Sequence, residues 1–338
     1  MFLHALKQEW DRQRPILQNR IIDTIYFGGG TPSLCPEAII LFLDWAKKEW
    51  SISSNVEITA EANPEDITKE LISLLAEAGV NRLSLGVQSL EEQALHTLER
   101  SHTPKSAQEA LWIAYEKIQN LSIDILYDIP HDKDHLSLEK TLMAIQQLPI
   151  QHISIYNLTI EPHTSFYKRK ISLPPPKKSK QSLQMILDYL KKAGFVRYEI
   201  SAFCKEGFCS RHNSKYWTGE EFLGFGPSAW SFLEGARFRN QPHILRYAKN
   251  LQEGLSPIEF SEKLEKTALF KEIFCLQLRM IQGIHKQTFS KKFGDYLSGM
   301  RMDLDQLIQD QLILETKTHI QLSHNGLLFH DTIAEKLI

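Results

Sequence analysis

A chain of 338 residues, 42% hydrophobic and 24% charged, is long enough for more than one domain and has a soluble, globular composition. A formal net charge of -2 argues against nucleic acid as the main partner, and no apolar run is long enough to cross a bilayer. Four cysteines (Cys35, Cys204, Cys209 and Cys275) are too few for a disulfide framework, and the N-terminus lacks the layout of a secretory signal, so a reducing cytoplasm is the default.

The chain opens on an amphipathic helix with Phe2, Leu3, Leu6 and Trp10 on one face. Five short apolar runs then recur before residue 160: IIDTIYF, NVEITAEA, NRLSLGVQ, LSIDILYDI and HISIYNLTI. Helical patterns alternate with them, which reads as successive βα units around a parallel sheet. Pro36 sits where a first-turn proline is tolerated, and Gly79 reads as a C-terminal cap. SLPPPKKSK, residues 172–180, is a proline-rich, basic connector before another helix and one more strand-like run, residues 195–203. From 204 to 245 the chain is rich in glycine and aromatics, which reads as structured loops or an added sheet edge. From Ser256 the pattern is helical, and the C-terminus reads as a short hairpin and a closing helix, the outline of a small winged-helix-like domain. The expected division is 1–245 for the barrel with its added loops and 246–338 for the C-terminal domain.

Nearly every apolar run ends in glycine or a polar residue. The series is Gly28-Gly29-Gly30-Thr31, then Glu61, Gln88, Asp124 and finally Asn157 with Thr159. In a parallel βα barrel all these ends converge on one rim, where ligands bind. Any one of them could be a helix cap or a turn residue; their recurrence over five strands favours a shared site. GGGTP fits neither a dinucleotide fingerprint nor a phosphate-binding loop. Consecutive glycines let a ligand approach the main chain, although a tight turn needing positive φ would use them too. Arg100, in the loop after the helix that begins near Leu90, is either a carboxylate clamp or a solvated surface cation.

The stretches YFGGGTPSL, EANPE, RLSLGVQSL, RSHT, IDILYDIP, HISIYNLTIEPHT, YEIS, SRHNSKYW and FLGFGPSAWS, in this order, resemble the radical S-adenosylmethionine (SAM) superfamily in its coproporphyrinogen dehydrogenase (HemN) branch, and within it the HemW-type heme chaperones. The resemblance covers most of residues 20–235 and implies an α/β fold, a partial (β/α)6 barrel with SAM across its mouth, plus a small, mainly helical C-terminal domain. Carried over by motif, the SAM contacts are Gly29, Gly30, Thr31, Glu61, Gln88, Arg100 and Asp124, with Thr159 and Trp230 matched more loosely. Main-chain oxygens at the glycines suit the SAM ammonium, Arg100 its carboxylate, and Glu61, Gln88 or Asp124 its hydroxyls and amines. HNSKYW matches the HNxxYW signature of the chaperone branch, which implies heme supported by His212, Asn213, Tyr216 and Trp217, with His212 as the candidate iron ligand. The resemblance implies no catalytic residue.

The superfamily's CxxxCxxC loop, whose thiolates hold a 4Fe-4S cluster, has no counterpart here; Cys35 stands alone, and Cys204 and Cys209 lie far downstream. IIDTIYFGGG corresponds to the family's second strand, so the first strand and its cluster loop belong before Met1. Without them a strand buried on both faces in relatives would be left as a bare edge. The expectation is therefore a chain that starts late, by truncation or at an internal methionine, with a homologue that lost its cluster as the alternative. The function expected from the resemblance is heme binding and transfer to acceptor proteins, membrane-associated ones included, on a SAM-binding scaffold. Two alternatives stand beside it: an oxygen-independent coproporphyrinogen III oxidase, and a catalytically dead barrel that docks a partner.

Overall fold

The computed structural model describes residues 1–130, 132, 134–294 and 297–338. After α1 (Phe2–Gln13), βα units follow in series: β1 (Ile21–Phe27) with α2 (Pro36–Glu49), β2 (Ser51–Ala62) with α3 (Lys69–Ala78), β3 (Arg82–Gln88) with α4 (Glu92–Thr97) and α5 (Pro104–Tyr115), and β4 (Asn120–Tyr127) with α6 (Leu136–Ile145). β5 (His152–Asn157) is followed by the short α7 (Ser165–Lys168), by α8 (Pro176–Lys192), and by β6 (Val196–Arg197) and β7 (Ala202–Cys204). The remainder is α9 (Arg211–Thr218), β8 (Trp230–Leu233), β9 (Ala236–Asn240), α10 (Ile244–Gln252), β10 (Ile258–Lys263), α11 (Lys266–Gln277), β11 (Ile284–His285), α12 (Lys286–Phe293), α13 (Arg301–Gln309), β12 (Ile313–Glu315), β13 (His319–Leu322) and α14 (His330–Leu337). These elements form two compact units: residues 22–48 with 52–210, and residues 1–21 with 49–51 and 211–338.

The first unit is the expected curled, partial βα barrel. Its seven strands run in the order β1-β2-β3-β4-β5-β7-β6. β2 through β5 pair in parallel, and β7 joins β5 antiparallel. On one face of the sheet Leu83, Leu85, Val87, Ile123, Ile125, Ile153 and Ile155 are buried. The helices between the strands are locally encoded. Thr68 caps α3 by accepting from the Leu71 amide, and Gly79 ends it at φ 104°, a left-handed conformation suited to glycine. Thr103 and Ser106 form a reciprocal capping box at the start of α5, with Pro104 in the first turn.

The run 195–203 is not one strand. Glu199 accepts from the Ser201 amide at 2.9 Å and the Arg197 guanidinium donates to the Ile200 carbonyl, which folds the segment into a tight β6–β7 hairpin.

In the second unit, α1 buries Leu6 and Trp10 as expected, and also Glu9, which is fully excluded from solvent. Glu9 accepts from the Gly226 amide at 2.7 Å, Asn240 Nδ2 at 2.5 Å, the Tyr247 hydroxyl at 2.6 Å and Gln13 Nε2 at 2.7 Å. Trp10 packs on Trp50 and Phe225, with ring centroids 4.2 and 5.9 Å away. The glycine- and aromatic-rich stretch 204–245 is no edge of the barrel sheet. It supplies α9 and two strands of a separate antiparallel sheet, order β10-β9-β8. Its third strand corrects the reading of a helix from Ser256: Ile258–Lys263 pairs with β9 as an edge strand exposed along its length. The C-terminal hairpin (β12–β13) and closing helix α14 are present as expected, with β11 completing a small three-stranded sheet.

Candidate functional site

The strand ends of the barrel unit form a connected rim. Tyr26, near the end of β1, donates its hydroxyl to Glu61 Oε1 at 2.7 Å, and the Gly29 amide donates to Glu61 Oε2 at 3.2 Å. Glu61 thus ties β2 to the glycine loop. Asn63 Nδ2 donates to Thr31 Oγ1 at 3.3 Å. A Cβ at Gly86 would lie 3.1 Å from Gln88 Nε2 and 3.3 Å from Asn63 Oδ1, so these two amides crowd the bare backbone of β3. Gln88 itself has φ 65° and pairs with Ile125 of β4 after a register shift that follows Leu85.

The three glycines do different jobs. A Cβ on Gly28 would meet Tyr26 Cε1 at 2.6 Å and Glu61 Oε1 at 2.9 Å, so its lack of a side chain lets β1 and β2 close up. Gly29 and Gly30 have φ of 75° and 90° with nothing within 4 Å of an added Cβ. The turn here needs positive φ, and the main chain beside it is exposed and free of side-chain cover.

Asp124 is half-buried one strand further on, level with Ser154 of β5. Burial, and secondarily the nearby Glu61 charge, push its carboxyl up to about 6; bonds from Ser154 and Ser84 and the charge of Arg82 oppose that rise. Sequence reasoning did not foresee the rest of this polar face. Arg82 and His152 are 1% and 0% exposed. His152 Nδ1 pairs with Ser122 Oγ at 2.8 Å and its Nε2 with the Tyr198 hydroxyl at 2.9 Å. Burial, then the Arg82 charge, hold that imidazole neutral. The signal was present as alternation: Arg82, Ser84, Gly86 and Gln88 fall on one face of β3.

Arg100 is exposed on the turn after α4. Its loop is anchored by buried His102, whose Nε2 lies 3.0 Å from the Val87 carbonyl and whose Nδ1 lies 3.2 Å from Glu65. This holds the loop beside the end of β3. Thr159 is exposed beyond β5, 3.4 Å from Glu161 Oε1.

The remaining candidates belong to the other unit. His212, Asn213, Tyr216 and Trp217 all lie on α9. His212 Nε2 pairs with the Tyr216 hydroxyl at 2.8 Å, one helical turn away. Tyr216 packs edge-on against Phe222 with centroids 4.7 Å apart. Trp217 faces elsewhere: the Arg279 guanidinium sits 4.3 Å over its ring, and its buried Nε1 has no acceptor. Trp230 lies on β8 beside Phe260, with the Arg239 guanidinium 5.5 Å from its ring.

The Radical SAM superfamily model matches residues 7–142 and the HemN C-terminal domain model matches residues 264–329. The heme chaperone HemW of Bacillus subtilis is 32% identical over 343 residues, covering 98% of this chain and 89% of the relative. That of Escherichia coli K12 is 30% identical over 339 residues, covering 99% and 89%. The chain belongs to the HemW family of the radical SAM superfamily. The structure of the Escherichia coli coproporphyrinogen III oxidase HemN superposes with a TM-score of 0.86 over 99% of this chain and 82% of that one, at 21% identity, which shows the shared fold.

The radical SAM family implies SAM and a 4Fe-4S cluster. The rim fits SAM in kind: exposed main chain at Gly29 and Gly30, carboxylates at Glu61 and Asp124, and an amide at Gln88. The cluster does not fit the described residues, among which no three His, Cys, Asp or Glu side chains group as a metal site. The four thiols are all free, and Cys204 and Cys209 are the two that interact. Among the described residues no helix is long and apolar enough to cross a membrane.

Proposed function

We propose that this protein is a heme chaperone: it binds heme through the α9 unit and hands it to acceptor proteins, membrane-associated ones included, while its barrel rim binds SAM. The observation that supports this most is near-full-length identity of 30–32% to HemW heme chaperones together with HNSKYW displayed on one helix, where His212 and Tyr216 meet. In this reading His212 is the iron ligand, Tyr216 its neighbour, and Asn213 and Trp217 stabilise the helix that presents them.

SAM would be held by main-chain atoms of Gly29 and Gly30, by Thr31, and by the side chains of Glu61, Gln88, Asp124 and Arg100, with Thr159 at the margin. Bound SAM would supply the sulfonium nucleoside from which the superfamily's chemistry starts. The chain's own contribution is to orient that ligand. Glu61 is fixed by Tyr26 and Gly29, and Asp124 is kept half out of water, so each accepts a hydrogen bond without reorganising. The protein would work in the cytoplasm, on heme rather than nucleic acid, and would not decarboxylate coproporphyrinogen. The proposed domain division is 1–245 and 246–338.

Heme titration of wild type and His212→Ala, followed in the Soret band, tests the ligand role. The expected result is a shifted band and at least a tenfold weaker Kd for the variant; an unchanged spectrum and affinity would remove His212. Formation of protoporphyrinogen from coproporphyrinogen III under anaerobic, reducing conditions with SAM would defeat the non-enzymatic reading.

A further inference from the structure

We propose that the face of the β8–β10 sheet that alternates aromatic rings with arginines is the porphyrin seat, taking the apolar edge of heme into the cavity against α9 and α11 and a propionate on Arg239. The inference rests on the heme-chaperone reading and adds to it where the ring lies and which way round.

The register defines two rows on one face of this sheet. Trp230 of β8 pairs with Arg239 of β9, and Arg239 with Phe260 of β10. Phe232 pairs with Arg237, and Arg237 with Glu262. Arg237 is neutralised twice, by Glu262 at 2.7 Å and by Glu272 at 2.8 Å. Arg239 is less satisfied. Among the described residues its carboxylate contact is Glu259 at 3.3 Å, and its buried Nε has no acceptor. Beside it Trp230 and Phe260 are 44% and 40% exposed, large rings turned to solvent at the edge of a concavity.

That concavity measures 350 Å³, and its walls include Tyr216, Phe222, Trp230, Phe232 and Phe260, with Ile273 and Leu276 of α11. Its size is at the low end for ligand sites, so it admits an edge of a macrocycle and leaves the rest uncovered. Aromatic walls favour a flat, apolar, polarisable ring, and a guanidinium stacked on Trp230 favours a carboxylate in the same plane.

Charge sets the orientation. Arg237, the cation lining the cavity, is committed to Glu262 and Glu272, and Glu220 adds a further carboxylate there, so a propionate gains little inside and the vinyl-bearing edge enters. The propionates then point outward, where Arg239 waits. Tyr216 belongs both to the cavity wall and to the hydrogen bond with His212 Nε2, which links the seat to the candidate iron ligand through one side chain. Trp230, which the resemblance assigns loosely to SAM, is thereby given to the porphyrin.

The full chain is titrated with three probes: heme, iron-free protoporphyrin IX and heme dimethyl ester. Trp230→Ala and Phe260→Ala are expected to weaken heme and protoporphyrin about tenfold each while leaving the Soret position of bound heme unchanged. Arg239→Gln, a surface change that does not threaten the fold, is expected to weaken heme at least fivefold but not the dimethyl ester. His212→Ala is expected to shift the Soret band while retaining protoporphyrin affinity. If Trp230→Ala, Phe260→Ala and Arg239→Gln all bind heme within twofold of wild type while His212→Ala does not, the seat lies elsewhere and the chaperone reading stands. If the wild type binds none of the three probes, both fall together.

Discussion

The inner face of the barrel sheet and the β8–β10 face, the two proposed binding surfaces, are made in opposite ways. The barrel face gathers serines, carboxylates, a buried arginine and a buried histidine, joined by hydrogen bonds between neighbouring strands. The β8–β10 face alternates rings and guanidiniums and leaves two rings exposed. The first is a preorganised polar rim whose groups constrain one another, so single substitutions there should cost stability as well as affinity. The second is an open, adaptable surface whose substitutions should cost affinity alone.

The largest effect is expected where a polar group is wholly enclosed. Glu9→Ala takes the acceptor from the Gly226 amide and the Tyr247 hydroxyl and leaves Asn240 Nδ2 with the Gly226 carbonyl. Urea denaturation should show a loss of about 3 kcal/mol or more; a loss below 1 kcal/mol would mean these groups find other partners. Gly28→Ala comes next. The new methyl drives into Tyr26 and Glu61, and about 1–3 kcal/mol of stability should go with most of the SAM affinity measured by calorimetry. If affinity is lost with the melting temperature unchanged, the rim is less interlocked than the contacts indicate.

The smallest effect concerns pH. The Asp124 carboxyl lies above its unfolded value of 3.8, at about 6, so between those values the folded state holds a proton that the unfolded state has released. Stability therefore falls as pH rises through this window, and Asp124→Asn should flatten that slope. SAM affinity should show the reverse trend, since the ionised carboxylate is the better acceptor: it should weaken below about pH 6 in wild type and not in the variant. A parallel decline in both proteins would assign the titration to another group.

How much of this could be read from the amino-acid order differs between the two regions. The placement of Gly30, Glu61 and Gln88 near one edge of the sheet was legible because parallel βα order brings the strand ends together, whatever the details of packing. Arg82 and His152 were not singled out, because their importance depends on register: His152 faces Ser122 and Cys204 only once β4, β5 and β7 have aligned. Phe260 was hidden in a segment whose charges suggested a helix. Glu9 was not singled out beside Leu6 and Trp10, and only Asn240 and Tyr247, 231 and 238 residues away in the chain, make it an interior group. Local pattern carries the elements and the strand-end motifs, while long-range pairing decides which polar residues are enclosed.

In the ligand role proposed for His212, the bond between its Nε2 and the Tyr216 phenol bears on release as well as capture. A nitrogen engaged by a phenol must break that contact before it can bind a metal, and it recovers the contact when the metal departs. At about 1 kcal/mol for such a bond, the vacated ring settles back instead of standing empty. A storage protein would gain by dispensing with this internal competitor. A courier gains by keeping it, since every delivery ends with the grip already closed.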